Sequence, residues 1–290
     1  MDSRDIKEQL PEVEPCNYLS SMYSMQKELL AGYIGIEGLP EYPINVNTKK
    51  SQTLLKDFTG RVIEELAEGY EALLFVDNLT RENRFWQGDF DDSKLIECIN
   101  HLQNAGEEMA DAMHFMLELL IYANIQPEDI ESYMDEKLRL KEFPEAMEKT
   151  GIEKAMLVGI TLLDTEEINI GNNNIIDLYR AYKSLDNLQD PISKDFLCCG
   201  RMHNTQIYKR YRSQMWEVTY HLNIARNFLK NKPWKQSQMM TNETAYQEEL
   251  VLSFICMMGL FFNMGIDHHN LFFLYFKKNR VNKFRQKSKY

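Results

Sequence analysis

Apolar residues in this chain recur at intervals of three and four, and that periodicity constrains the fold more than any other feature. Met22, Met25, Leu29 and Leu30 form one stripe behind Asn17, a candidate N-cap. Ile63, Leu66, Ala67, Tyr70, Leu73 and Leu74 form another. Such a stripe faces one core only if the backbone is helical, since a strand sends alternate residues to opposite faces. The same reading predicts helices over Ser93 to Asn124, Pro127 to Leu140, Ile175 to Leu185, Arg210 to Lys230 and Thr244 to Met264, with a last one from about Asp267. Strand-like alternation is scarce, and Ala155 to Ile168 is the one candidate. The expected fold is all-α, a helical bundle.

Two segments interrupt the pattern. Gly38 to Lys50 holds two prolines and several turn formers, and Gly171 to Asn174 is polar and turn-like. Neither has the composition of an interdomain linker, so residues 1–290 are expected to form one compact unit. Within it, Glu108 can be set against Glu249 at a constant offset of 141 residues. Ile125 then meets Ile266, Ile130 meets Leu271, Lys137 meets Lys278 and Phe143 meets Phe284. An internal duplication (about 17–145 and 175–290) accounts for this, and so does chance agreement between two amphipathic helix pairs.

Charge narrows the classes of partner. The formal net charge is −11, and a long nucleic acid is bound chiefly through Lys and Arg, so that partner is not expected. A small phosphorylated ligand is compatible, because acidic clusters bind phosphates through Mg²⁺. The exception to the acidity is the densely basic tail from Lys277 to Lys289. No apolar run has the length to span a bilayer; Leu250 to Met264 is interrupted by Ser253, Gly259 and Asn263 and reads as a core helix. No membrane partner is expected. Five cysteines, among them the vicinal pair Cys198-Cys199, show no CxxC spacing, and with no secretory leader they read as reduced thiols in the cytoplasm.

The chemistry concentrates in two acidic segments. In Glu64-Glu65-Leu66-Ala67-Glu68, helical spacing puts Glu65 and Glu68 on one face. In Glu107-Glu108-Met109-Ala110-Asp111, Glu108 and Asp111 likewise share a face, on a helix that continues through Met113, Phe115, Met116, Leu117 and Leu119. Like charges at this spacing repel, and carboxylates left unpaired in apolar surroundings cost several kcal/mol each. A divalent cation removes both costs. Four carboxylates with no soft ligand suit Mg²⁺ rather than zinc. The bland alternative is a solvated acidic face. Glu64, Glu71 and Glu107 lie further round their helices, Glu118 falls near the Glu108 and Asp111 stripe, and His114 reads first as a hydrogen-bonded core histidine.

These residues resemble the all-α nucleoside triphosphate pyrophosphatases, and within them the dimeric dUTPases and phage dCTP/dUTP pyrophosphatases. The likeness rests on the ExxE and ExxD pair with its Asp111-Ala112-Met113-His114-Phe115 continuation, on Met25-Gln26, and on the tail from Tyr275 to Tyr290, similar to the family's YxxKNxxNxxRQxxxY pattern. In such enzymes Mg²⁺ held by the two acidic motifs binds the triphosphate and activates the water that attacks the α-phosphorus. The resemblance implies Glu65, Glu68, Glu108 and Asp111 as metal ligands. A carboxylate that both orients water and touches metal can serve as general base, and Glu65 is the residue expected in that role. The resemblance also implies Lys278, Asn282, Arg285 and Tyr290 on the phosphates, closing as a tail ordered over bound nucleotide. Gln26 and Phe85-Trp86 would hold the base, dUTP or dCTP would be the substrate, and a homodimer the assembly.

The chain also departs from that pattern. The gap between Glu68 and Glu108 is long, so an insertion covers 76–100. Leu30 stands where relatives carry a polar residue that reads the base, which leaves uracil and cytosine both open. At an offset of 141, Leu252 falls in the place of Asp111, so the second half is expected to lack a complete metal site. The competing readings are a pyrophosphatase for another triphosphate, a catalytically silent nucleotide-binding protein and a plain helical scaffold. The catalytic readings require the acidic residues to converge; a scaffold would turn Glu65 and Glu68 to solvent.

Overall fold

The computed structural model describes residues 6, 9–82, 92–138, 144–163, 205–232 and 234–288. Among these there is no strand, and the fold is an all-α bundle. A 3-10 turn, Pro15–Asn17, leads into α1 (Tyr18–Glu37). Then follow α2 (Lys49–Glu82), α3 (Asp92–Tyr122), α4 (Pro127–Lys137), the single turn α5 (Pro144–Met147) and α6 (Gly151–Leu163). The C-terminal half supplies α7 (Thr205–Phe228), α8 (Glu243–Asn263) and α9 (His268–Ser288). The expected helix over Ile175 to Leu185, the break at Gly171 to Asn174 and the Cys198-Cys199 pair lie outside the described residues.

The helices form two packed groups joined through a common core. α2 lies along α3 over much of its length, while α8 is sandwiched between α6 and α7. α9 crosses both α1 and α3, and α7 rests against α2. α8 has the length and hydropathy to cross a bilayer, but the bundle covers it: Leu250, Phe254, Ile255, Met257, Met258, Leu260 and Phe261 are all fully buried. It is a core helix, as the interruptions in its apolar run suggest.

One local reading is corrected and one is borne out in position only. Ala155 to Ile168 is not a strand as far as it is described; Gly151–Leu163 is helical, with Ile152, Ala155, Met156, Val158 and Gly159 all buried. A helix buried on most of its circumference loses the polar stripe that marks a helix, and an almost continuous apolar run is then ambiguous between the two periods. Asn17 does stand at the N-cap of α1, but its side chain makes no capping bond. Its backbone is instead turned into the helix by the preceding 3-10 turn, where Asn17 N–H donates to Glu14 O.

The 141-residue offset does have a structural counterpart. α3 ends with Asn124 in the left-handed region (φ 60°), α8 with Gly265 (φ 88°). Ile125 N–H donates back to Leu120 O at the first corner and Ile266 N–H to Phe261 O at the second, each at 2.9 Å. Both corners close helices by the same pair of backward bonds, with a buried apolar residue just beyond the left-handed position. This is a common way to end a helix, so the recurrence alone does not establish duplication.

Candidate functional site

The site is built where α2, α3, α1 and α9 meet. Along α2, Val62, Leu66, Leu73 and Val76 are buried, which turns the intervening Glu65 and Glu68 along the edge of the α3 contact. On α3, Met109, Ala112, Met113 and Met116 are fully buried and set Glu108 and Asp111 on the flank that faces α2 and α9. The two helices come close there because Gly69 has no side chain; a Cβ would lie 2.5 Å from the terminal methyl of Met109 and 3.4 Å from Glu108 Cβ. The backbone packing thus places the acidic faces against each other.

Glu65, Glu68 and Glu108 each offer a carboxylate oxygen, and these oxygens lie within 4.8 Å of one another. Glu65 and Glu108 are half-buried and share a hydrogen bond, whereas Glu68 stands at the exposed rim. Burial, then the charges of Asp111 and Glu108, push the Glu65 carboxyl up to about 8. The Glu108 carboxyl is raised for the same reasons, burial first and Asp111 next, against an opposing pull from Lys278. Such a crowd of acids holds a proton or a cation in place of full negative charge. Its donors are all hard oxygens, with no histidine or cysteine in the group, which suits Mg²⁺.

Asp111 takes a different position from the other three. Lys278 Nζ on α9 binds its carboxylate at 2.5 Å, with both side chains mostly buried. Burial raises the Asp111 carboxyl, and Lys278 and then Arg285 work against that rise. Lys278, Asn282 and Arg285 lie at i, i+4 and i+7 on α9 and therefore share a face. Phe85, Trp86 and Tyr290 lie outside the described residues.

The basic tail is a helix through Ser288, docked on α1. Lys283 binds Glu28 at 2.6 Å, Gln286 donates to Leu29 O at 2.8 Å and Asn279 donates to Met25 O at 3.4 Å. Buried Tyr275, Phe276 and Val281 supply the apolar side of the same contact. A segment with this much packing is ordered by the fold itself, which departs from the expectation of a tail ordered over nucleotide.

Beside Lys278 lies a buried polar network that sequence reading reached only in part. Gln26 is fully buried. Its Nε2 donates to Glu118 Oε1 at 2.9 Å, and its Oε1 accepts from Tyr275 Oη–H at 2.6 Å. The same Oε1 lies 2.6 Å from His114 Nδ1, and a carbonyl oxygen can only accept, so Nδ1 carries the proton. His114 also stacks on Tyr275 (centroids 4.1 Å apart). Burial, and after it the Lys278 charge, drives the imidazole down to about 3, so it is neutral. Burial pushes Glu118 up to about 8, opposed by the bond from Gln26. Two buried acceptors in this network, His114 Nε2 and Asn279 Oδ1, have no well-formed hydrogen-bond partner. Glu118 and His114 could be flagged in the sequence as polar residues in an apolar run, whereas Asn279 sits unmarked in the basic tail, and their meeting around Gln26 depends on three helices.

In the second half, Glu249 at the offset position of Glu108 is bound by His221 Nδ1 at 2.8 Å, and Leu252 stands in the place of Asp111. Compared with known proteins, the chain matches no family model, no curated protein and no solved structure.

Proposed function

We propose that the chain hydrolyses a deoxynucleoside triphosphate, dUTP or dCTP, to the monophosphate and pyrophosphate with Mg²⁺. The observation that carries this reading is the meeting of Glu65, Glu68 and Glu108 within 4.8 Å across two helices, with the Lys278 and Asp111 pair beside them. A solvated acidic face would spread such residues apart rather than gather them at a helix contact. Glu65, Glu68, Glu108 and Asp111 would hold Mg²⁺, which when bound lowers the pKa of water and neutralises charge on the leaving pyrophosphate.

The chain's own residues supply the rest. A carboxylate with the proton affinity of Glu65 can accept the proton that water loses as its oxygen bonds to the α-phosphorus. The α–β phosphoanhydride bond breaks, and pyrophosphate leaves with its electron pair. Lys278 and Arg285, on one face of α9, offer charge-assisted bonds to the phosphates, and Asn282 between them a neutral donor. Gln26 is committed to Glu118, His114 and Tyr275, so it would hold that network in place rather than touch a base directly.

The test is pyrophosphate release from a panel of dNTPs with Mg²⁺, comparing the unaltered chain with Glu108→Gln. Release from dUTP or dCTP, lowered at least about a hundredfold in the variant, is expected. No release from any triphosphate by a folded chain would leave the silent nucleotide-binding reading, which the Asp111 to Lys278 pairing favours because it occupies one of the four carboxylates.

A further inference from the structure

The loop 229–242, which joins α7 to α8, presents an unusual surface. Three large apolar side chains stand out of it: Trp234 is 75% exposed, Met239 53% and Met240 80%. An isolated exposed apolar residue is ordinary, but three within seven residues of one loop are not.

The loop is nonetheless held firmly. Asn231 is buried, and its side chain donates to Asn47 O and Met239 O and accepts from Met239 N–H. Its own N–H donates to Gln52 Oε1 at 2.7 Å. Gln52 in turn donates to Thr241, and Thr241 N–H donates to Asn47 Oδ1. These bonds pin both ends of the loop to the start of α2, so the apolar tips are displayed by a fixed scaffold and do not collapse onto the core.

Around the tips the charge is positive, in a chain whose net charge is −11. Lys49 Nζ donates to Lys235 O, and Lys56 Nζ to Asn231 O. Lys232 sits over the Trp234 ring at 5.3 Å. Arg226 and Lys232 lie close enough to Lys56 to help burial lower its pKa. None of Lys49, Lys56, Arg226, Lys232 and Lys235 forms an ion pair among the described residues. Lys49 and Lys50 also open α2, whose first turn has no acidic residue, and a helix N-terminus adds positive potential there. The nearest acids in sequence are Asp57, bound to Arg61, and Glu243.

We infer that this loop and the lysines around it form a peripheral docking face for an anionic lipid bilayer. Charge complementarity selects an anionic partner, and the apolar tips select one with a hydrocarbon interior. Trp is the side chain best suited to the headgroup boundary, and lysines flank it with their stems along apolar surface and their ammonium groups among anionic headgroups. A single-stranded nucleic acid fits less well: it calls for several stacking aromatics, whereas two of the three tips are methionines. No membrane-spanning helix is required. The inference is independent of the triphosphate reading, because none of its residues belongs to the acidic site.

The test is co-sedimentation of the full chain with vesicles of phosphatidylcholine alone and with about 30 mol % phosphatidylserine added. Binding to the anionic vesicles only is expected. Trp234→Ala and Lys232→Ala should each lower it about fivefold with unchanged helical circular dichroism, since both side chains are at the surface. Absence of sedimentation with either vesicle overturns the proposal. So does sedimentation that both variants leave untouched, because another surface is then responsible. Binding of a single-stranded oligonucleotide that depends on Trp234, without vesicle binding, assigns the face to nucleic acid and overturns it as well.

Discussion

At the residue scale, Glu118 shows how burial sets a charge state. It is 6% exposed and bonded to Gln26. Its carboxyl stands at about 8 in the folded chain and near about 4.3 when unfolded. Between those values the folded chain binds the extra proton, so the stability associated with Glu118 is present below the unfolded pKa and is lost as pH rises towards 8. Each unit of displacement corresponds to about 1.4 kcal/mol. Glu118→Gln keeps the shape and an acceptor for Gln26 Nε2–H but cannot ionise. Chemical denaturation should find the variant and the unaltered chain alike near pH 5 and the variant more stable near pH 8. An equal difference at both pH values would mean that Glu118 does not titrate in this way.

At the scale of elements, the tightest crossing is between α6 and α8, where Gly159 meets Gly259. A Cβ on Gly159 would lie 2.6 Å from Gly259 N and 2.8 Å from its Cα, backbone atoms that cannot rotate aside. Gly159→Ala should therefore force the helices apart and cost about 1–3 kcal/mol or more, seen as a fall of several degrees in Tm. Gly35 in α1 has nothing within 4 Å of its Cβ direction, so Gly35→Ala should gain roughly 0.5–1 kcal/mol from helix propensity. Thermal melts of the two variants should move in opposite directions. A neutral Gly159→Ala would mean that this crossing tolerates a wider separation.

At the scale of the whole molecule, the acidic cluster joins α2 to α3 while Lys278 joins α3 to α9. A cation that binds only when these helices are assembled stabilises the folded chain by mass action. Magnesium at about ten times its Kd contributes about 1.4 kcal/mol, or a Tm rise of roughly 2–3 °C for a chain of this size. That rise should vanish in Glu65→Gln combined with Glu108→Gln, with the chain still folded, because the same substitutions remove the repulsion that the cation offsets. A magnesium-dependent rise surviving the double substitution would place the ion elsewhere.

The sequence by itself determined the all-helical class, because a 3.6-residue apolar period commits the backbone wherever one face of a helix stays wet. It also marked the pairs Glu65 with Glu68 and Glu108 with Asp111, since i, i+3 spacing is a property of one helix. It failed at Ala155, where a helix buried on most sides has no wet face to reveal its period. Only the tertiary structure decided that Glu65, Glu68 and Glu108 converge while Asp111 turns to Lys278. It alone folded the basic tail onto α1, closed Gln26 into a network with Glu118, His114 and Tyr275, and pinned the exposed Trp234 loop through Asn231. Each of these joins residues tens to hundreds of positions apart, and periodicity within one element carries no information about which faces of different elements meet.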